Sequence, residues 1–544
     1  TGGLRLVSAG SAAGATVEIE NGALRYTPAP GFFGEDRVVY AVADAAGQTG
    51  TAEATVTVGI VVRDAAELAA ALASATGGEL ILLAPGDYGG LSLDGRSQAF
   101  ARYGSEVTIR SLNPEQMASF SSVSLRETAN LTFESILFDY RAAPEAMDAF
   151  KAFQLTSVTS VTIRDSVFDG DLAVTIDPTR AGFGTGHGLT VRNSQAVTIE
   201  DSEFFHWHRA AVFSDSTDLL VAGNLVHAVR SDGFNFAAVQ QVRIEGNTFR
   251  DFRASRETGD HVDMIQFWTN GKTMPNTDVL IRGNILDSAS GDYTQSIFMR
   301  NEEVDNGRAG GEMFYRNIRI EDNLIRNAHL HGITVGETAG LVIANNIVAH
   351  SAATWDNGGV SVPKISVAAA STGVVVTGNL TAAVPTAPVG SDWTVADNLL
   401  IQRAEPGAAG YYADVFVDGL ADHRPAVEAL RTYPGAALHG AAGFDLTPDT
   451  PDSFLFVAPG AGLARDTLAF RIGGVFDAGG AVAPAGASVV WDFGDGTVST
   501  EAAPAHRYAA AGLYDDEARI TLADGRRTTA TKTVQVETPV ALFA

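Results

Sequence analysis

Ile318-Arg-Ile-Glu-Asp-Asn323, Leu341-Val-Ile-Ala-Asn-Asn346 and Val374-Val-Val-Thr-Gly-Asn379 are three copies of one phrase. Each is a short β-branched strand, a small or polar residue, and a closing Asn. Earlier copies read Val107-Thr-Ile-Arg-Ser111, Leu131-Thr-Phe-Glu-Ser135, Val161-Thr-Ile-Arg-Asp165 and Val197-Thr-Ile-Glu-Asp-Ser202. Between them and the last three lie Leu220-Val-Ala-Gly-Asn224, Val242-Arg-Ile-Glu-Gly-Asn247 and Val279-Leu-Ile-Arg-Gly-Asn284. Asp201 to Asn224, Asn224 to Asn247, and Asn323 to Asn346 are steps of 23 residues, and other steps run from 30 to 39. Self-similarity at such a period marks a solenoid.

The period has a physical cause. One coil of a three-faced parallel β-helix takes about 22 to 24 residues, so each phrase returns one layer higher. Alternate side chains then point inward and stack as Val, Ile, Leu and Phe ladders. The Asn positions fall at a corner, where left-handed backbone is tolerated and stacked amides can bond between layers. Longer steps are loops thrown out from a coil. Leucine-rich repeats would need a helical segment in each period, and propellers a blade signature; neither is present. The predicted fold class is all-β: a right-handed parallel β-helix over residues 60–400, with Ig-like β-sandwiches at both ends.

Working outward, residues 1–59 alternate apolar and polar at Val38, Tyr40 and Val42. A turn over Asp44 to Gly47 and the run Ala54-Thr-Val-Thr-Val58 follow, as in antiparallel strands. A capping helix is expected after Asp64, with Glu67 three residues on, Leu68, Ala69 and Leu72 inside, and Gly77-Gly78 beyond its end. Periodicity fades after 400. Residues 401–460 read as a cap and linker with a helix over His423 to Arg431. Residues 461–544 carry Trp491-Asp-Phe-Gly-Asp-Gly-Thr497, whose Asp-Gly pair suits a strand-connecting turn.

The 544 residues contain no cysteine, which excludes disulfides and thiolate metal sites. The net charge of -27 disfavours nucleic acid and anionic membranes as partners. No apolar run is long enough to span a bilayer. The opening at Thr1 reads as a cut from a longer polypeptide. A monomer is expected. Carboxylates on an acidic surface can take up Ca²⁺, although no metal ligands can be assigned, and no organic cofactor is called for. The acidic residues at 302–305 and 321–322 read as solvated.

Polar residues concentrate where the repeat is most interrupted. Aligning four coils on their inward ladder stacks Phe234, Ile265, Ile297 and Ile333 inside. Asn235, Gln266, Phe298 and Thr334 then face out, with Trp268 and Arg300 one step further on. Asp232, Asp263, Gln295 and His331 begin their strands, with His208, His261 and His329 near the same edge. A groove so lined suits polysaccharide chemistry. Trp268 could stack on a sugar, and Arg300 could fork onto a uronate carboxylate. His331, His261 or Lys272 could move a proton. Asp232 and Asp263 could act as an acid–base pair. Gln266, Asn235, His329, His208 and Tyr293 complete the expected substrate contacts. The bland alternative for each is a turn or corner residue.

Residues 60–400 resemble the pectin-lyase-like superfamily of right-handed β-helices. Leu83-Ala-Pro-Gly-Asp-Tyr88 and the Gly-Asn phrases are similar to its alginate and chondroitin lyases. That resemblance implies proton abstraction and donation by a Lys and an Arg, often with Ca²⁺ on the uronate. Met299-Arg300-Asn301 sits at the family's Arg strand, while Phe267 or Trp268 occupies the Lys position. Ser231-Asp-Gly-Phe234 and His331-Gly-Ile-Thr-Val-Gly336 resemble the polygalacturonase-like hydrolases instead, without their Asp-Asp pair or Arg-Ile-Lys motif. The stretch from Tyr26 to Val58 resembles bacterial cadherin-like modules, and the Trp-Asp-Phe-Gly-Asp-Gly motif a PKD domain. Together the resemblances imply an extracellular or cell-surface enzyme on an acidic polysaccharide, a lyase ahead of a hydrolase. A C5-epimerase or a non-catalytic adhesin remain the alternatives.

Overall fold

The computed structural model describes residues 4–143, 147–175, 177, 179–255, 261–288, 291–292, 294–350, 362–415, 452–458, 461–463, 468–477, 480–481, 487–523 and 526–537. Three long parallel sheets of thirteen, eleven and ten strands wind around one core among these residues. The repeated phrases form the thirteen-stranded face. Each chain pass then makes a short strand on the eleven-stranded face and a longer one on the ten-stranded face. Strands Arg209–Ser214, Thr217–Ala222 and Leu225–His227 are one such coil.

The core is a set of ladders. Val161, Val197, Leu219, Val242, Val279, Ile318, Leu341 and Val374 stack in register on the phrase-bearing face. Phe138, Phe168 and Phe204 stack with ring centroids 4.3 Å apart, and Phe213, Phe236 and Phe267 at 4.9 Å. Each such pair adds about 0.5–1.5 kcal/mol beyond area burial.

The corner differs from the expectation by one residue. The left-handed residue precedes the ladder Asn: Gly223, Gly246, Gly283, Asp322, Asn345 and Gly378 have φ between 57° and 67°. Asp201 occupies that position one layer below, so Ser202, and not Asp201, lies beneath Asn224. At Gly223 an added Cβ would come within 2.2 Å of the Asp201 carboxylate, which accounts for glycine there. Seven side chains, Asn224, Asn247, Asn284, Asn323, Asn346, Asn379 and Asn398, form a continuous amide ladder. Each Oδ1 accepts from the backbone N–H of the layer below at 2.9–3.0 Å. Below Asn224 the same role passes to the hydroxyls of Ser202 and Ser166.

The helix Ala65–Ser74 covers the first coil. Asp64 accepts from the N–H groups of Ala66 and Glu67, and Glu67 accepts from that of Arg63. At the other end Tyr412 and Val415 pack on Leu380, Leu399 and Ile401, so residues just past 400 close the coil. The expected helix His423 to Arg431 lies outside the described residues. In the N-terminal module, strands Arg5–Ser11, Gly34–Ala43 and Thr49–Val58 make an antiparallel sheet. In the C-terminal module, strand Asp452–Ala458 pairs with Leu468–Asp477, so that sandwich begins before residue 461.

Two acidic stretches are not simply solvated. Glu302 accepts from Thr269 N–H, Glu303 binds Arg308 and Gly271 N–H, and Asp305 binds Arg300. These contacts hold the loop beside the ten-stranded face. Asp322 is buried at its corner, and burial followed by the Glu321 charge raises its carboxyl to about 7.

Candidate functional site

On the ten-stranded face the register runs Phe234↔Ile265↔Ile297↔Ile333. Two residues before each inward position, the strands begin with a polar side chain. From the lower coils upward these are Lys151, His187, Arg209, Asp232, Asp263, Gln295 and His331, with Lys364 opposite His331. Each strand start is a corner, where inward parity no longer buries a side chain in the apolar core. Polar groups are therefore tolerated there, provided that they have partners.

Asp232, Asp263 and His261 form the centre of this stripe. Their nearest oxygen and nitrogen atoms lie within 4.8 Å of one another. Both carboxylates are 0% exposed. His261 comes from the loop before strand Asp263–Trp268 and stays half-exposed above them. Its Nδ1 is 2.6 Å from Asp263 Oδ2, and Gln295 Nε2 is 2.7 Å from its Nε2. The loop is pinned because Ser231 Oγ donates to the His261 carbonyl at 2.7 Å. Arg209 Nε sits 3.1 Å from Asp232 Oδ2. That is a charge contact off the hydrogen-bond line.

The electrostatics follow from burial. Loss of water raises the carboxyls of both Asp232 and Asp263, and each carboxylate raises the titration of the imidazole they share. The hydrogen bond to Asp263, ahead of the charges of Asp263 and Asp232, holds His261 above its ordinary 6.5. Burial acts oppositely on its neighbours. It depresses His187 to about 3 and, with His331 beside it, His329 to about 4. His331 is lowered by burial and then by His261 and Lys364.

Above this centre, Phe298 bridges two imidazoles, with ring centroids 5.5 Å from His261 and 5.0 Å from His331. His331 Nδ1 contacts Thr334 Oγ1 at 2.8 Å. Gln266 lies beside His261 Nδ1 at 3.4 Å. Arg300 is exposed, bound to Asp305 at 2.8 Å, and close enough to lower the His261 titration.

The structure separates other expected residues from this cluster. Lys272 Nζ is 2.7 Å from Asp215 and lies over the Trp268 ring at 5.5 Å. Both therefore serve the corner at the far end of the strand, next to a cleft of about 490 Å³ lined by Ser157, Asn193, Asp215 and Thr273. Lys272 is not poised for proton transfer with His261. Asn235 is 0% exposed, so it cannot touch a substrate. His208 stacks on the buried His187 at 6.2 Å, beside the lower half of the stripe. Tyr293 lies outside the described residues. Arg209, Lys151 and Lys364 were absent from the expected groove. The signal for Lys151 and Arg209 was the rule applied to only four coils: two residues before an inward ladder position.

Ca²⁺ is the cation that an acidic polysaccharide site would most readily hold. It asks for six to eight oxygens. Here two carboxylates share their space with an imidazole and a guanidinium, so the set does not fit that ion. Arg209 and the His261 imidazole already stand beside the pair.

The fold and its flanking units define a modular β-helix protein. The chain carries a right handed beta helix region over residues 152–382, a bacterial Ig domain over 2–58 and a PKD domain over 457–537, each matched by its family model. Over 49 residues it is 45% identical to a microbial collagenase of Vibrio alginolyticus. That match spans 9% of this chain and 6% of the length of that curated relative. Among solved structures, it is similar to Dettilon tailspike protein at 12% identity, over 84% of this chain and 74% of that one, with a TM-score of 0.40. It is similar to an alginate lyase from a Paenibacillus at 14% identity, over 53% and 94%, with a TM-score of 0.28. No helix among the described residues is long and apolar enough to cross a membrane.

Proposed function

We propose that this chain is an extracellular enzyme that cleaves a uronate polysaccharide by β-elimination, with His261 as the proton-abstracting base. One observation carries the reading. His261 is a half-exposed acid–base group backed by two fully buried carboxylates. Asp263 accepts from Nδ1–H and thereby keeps the Nε2 lone pair directed at the groove. Gln295 donates to that lone pair and is displaced when substrate enters.

Nε2 takes the proton from C5 as the electron pair forms the C4=C5 double bond and the C4–O bond breaks. The proton then passes to the departing oxygen. His331 is depressed and so tends to lack a proton to give, whereas His261 holds the one it has just removed, which favours removal and return of the proton on one face. Arg300 anchors the uronate carboxylate and stabilises charge that develops beside C5.

A hydrolase is less well supported. Asp232 and Asp263 are too close to admit the water of an inverting mechanism, which needs roughly 6.5–9.5 Å between carboxyls. Both are also shut away from any anomeric carbon. The flanking Ig-like and PKD units support an extracellular setting. The test is incubation with alginate, pectate and a neutral glucan, following ultraviolet absorbance of the unsaturated product beside reducing ends. Absorbance that vanishes in His261→Ala supports the proposal. Reducing ends without absorbance overturn it in favour of hydrolysis. A changed ratio of uronate epimers without cleavage would reassign the second half of the reaction.

A further inference from the structure

The stripe extends well beyond the catalytic centre, and its outer members are cations. Lys151 lies four rungs below Asp263 and Lys364 three rungs above it, through the pairings already given. This is unusual in a chain with 64 acidic and 37 basic residues. Most Arg side chains of the coil have a carboxylate within reach, such as Arg164 with Glu134, Arg282 with Glu245, and Arg326 with Asp287. Lys151 and Lys364 have no ion pair among the described residues. Both are partly buried. Burial and the Arg192 charge depress Lys151, so its charged form is held at a cost in the free protein. A half-desolvated, unpaired ammonium is a poor use of a corner unless an anion completes it.

Phe150 stands directly before Lys151. It is 46% exposed and stacks on Tyr140 at 5.4 Å, nearly parallel to it. An exposed, supported aromatic ring next in the chain to an unpaired cation suits a sugar that carries a carboxylate.

We infer that Lys151 with Phe150, and Lys364 at the other end, are terminal subsites for an acidic polysaccharide lying along the stripe, so that the enzyme cuts within the chain. This rests on the uronate reading above and adds the length and direction of the bound polymer. Seven rung spacings of about 4.8 Å separate the two lysines, or about 34 Å along the coil. A ligand that reaches both must have several sugars on each side of His261. An enzyme that trims single sugars from an end would have no use for both.

The experiment measures binding of alginate and pectate oligomers of graded length to the full chain carrying His261→Ala, by calorimetry. Lys151→Gln and Lys364→Gln are then added singly and together. Each should weaken the longest oligomers by about tenfold, with no change for fragments too short to reach the lysine. Lys151→Arg and Lys364→Arg should retain affinity, which separates lost charge from lost folding. Wild-type protein should release mid-sized oligomers early in digestion. Equal affinity of the double Gln variant for every length, or release of single sugars from the start, would overturn the inference. Lysine-dependent binding without a double bond would leave the subsites standing and remove the elimination chemistry. A double bond formed equally well, on long chains, when Lys151→Gln and Lys364→Gln are placed together in the wild-type chain would do the reverse.

Discussion

Replacing Asn284 with Ala tests what holds the layers together. The Asn284 Oδ1 accepts from the backbone N–H and the side-chain amide of Asn247, both at 2.9 Å. Its Nδ2 donates to the Ile244 carbonyl and to Asn323 Oδ1, also at 2.9 Å. All four bonds are buried. Truncation leaves the Asn247 N–H without a partner, which costs about 1–3 kcal/mol. The remaining bonds lose about 1 kcal/mol each where water cannot replace them. A total of about 4 kcal/mol follows.

Asn284→Ser should cost about half as much. Its hydroxyl can accept from Asn247 N–H and donate to the Arg282 carbonyl. Ser202 does the same lower in the coil, accepting from Ser166 N–H at 3.1 Å and donating to the Glu200 carbonyl at 2.8 Å. Asn284→Asp should be at least as damaging as Ala, because its second oxygen would face the Ile244 carbonyl and Asn323 Oδ1 as acceptor against acceptor. Equilibrium urea unfolding followed by far-ultraviolet circular dichroism gives the ranking. An Ala variant within about 1 kcal/mol of wild type, or an Asp variant as stable as Asn, would refute the ladder as the source of stability.

The remaining predictions concern the site and the cap. Because the reactive imidazole is the proton-free form and its titration lies above 6.5, the rate should climb with pH along an acid limb centred above that value. Asp263→Asn should move that limb downward and reduce turnover by roughly 10²–10⁴-fold, the usual worth of positioned proton transfer. A pH–rate profile for the two proteins checks both. Asp263 also titrates higher in the folded chain than unfolded, chiefly through burial. The fold therefore binds that proton more tightly, and its contribution to stability is lost as pH rises above the ordinary carboxylate range. Asp263→Asn should flatten that slope in unfolding midpoints measured from acid to neutral pH. Lys272→Gln should leave turnover unchanged, since Lys272 is engaged by Asp215 and Trp268; a loss comparable to that of His261→Ala would reinstate it. Asp64→Ala should cost about 1 kcal/mol of stability, read by urea unfolding.

Much of this protein was legible from its order of residues alone. The phrases from Val107 to Asn379 report period and parity directly, because one-face burial leaves a mark every second residue and a coil repeats it every layer. Asp64 and Glu67 likewise announced the helix, through contacts made within a few residues. Placement at the corners was less legible. Asp201 and Ser202 are both small and polar, and only the left-handed backbone decides which one lies under Asn224.

The candidate site divides along the same line. The alignment of Asp232, Asp263, Gln295 and His331 needed only the period. That Asn235 is covered, that Lys272 turns away to Asp215, and that His261 lies over two buried carboxylates depends on loops of irregular length. Side-chain parity says nothing about a loop. Its path is set by contacts such as Ser231 to the His261 carbonyl, between residues 30 positions apart. Local repetition thus determined the coil, while long-range packing alone decided which polar residues meet, lose water and acquire shifted titration.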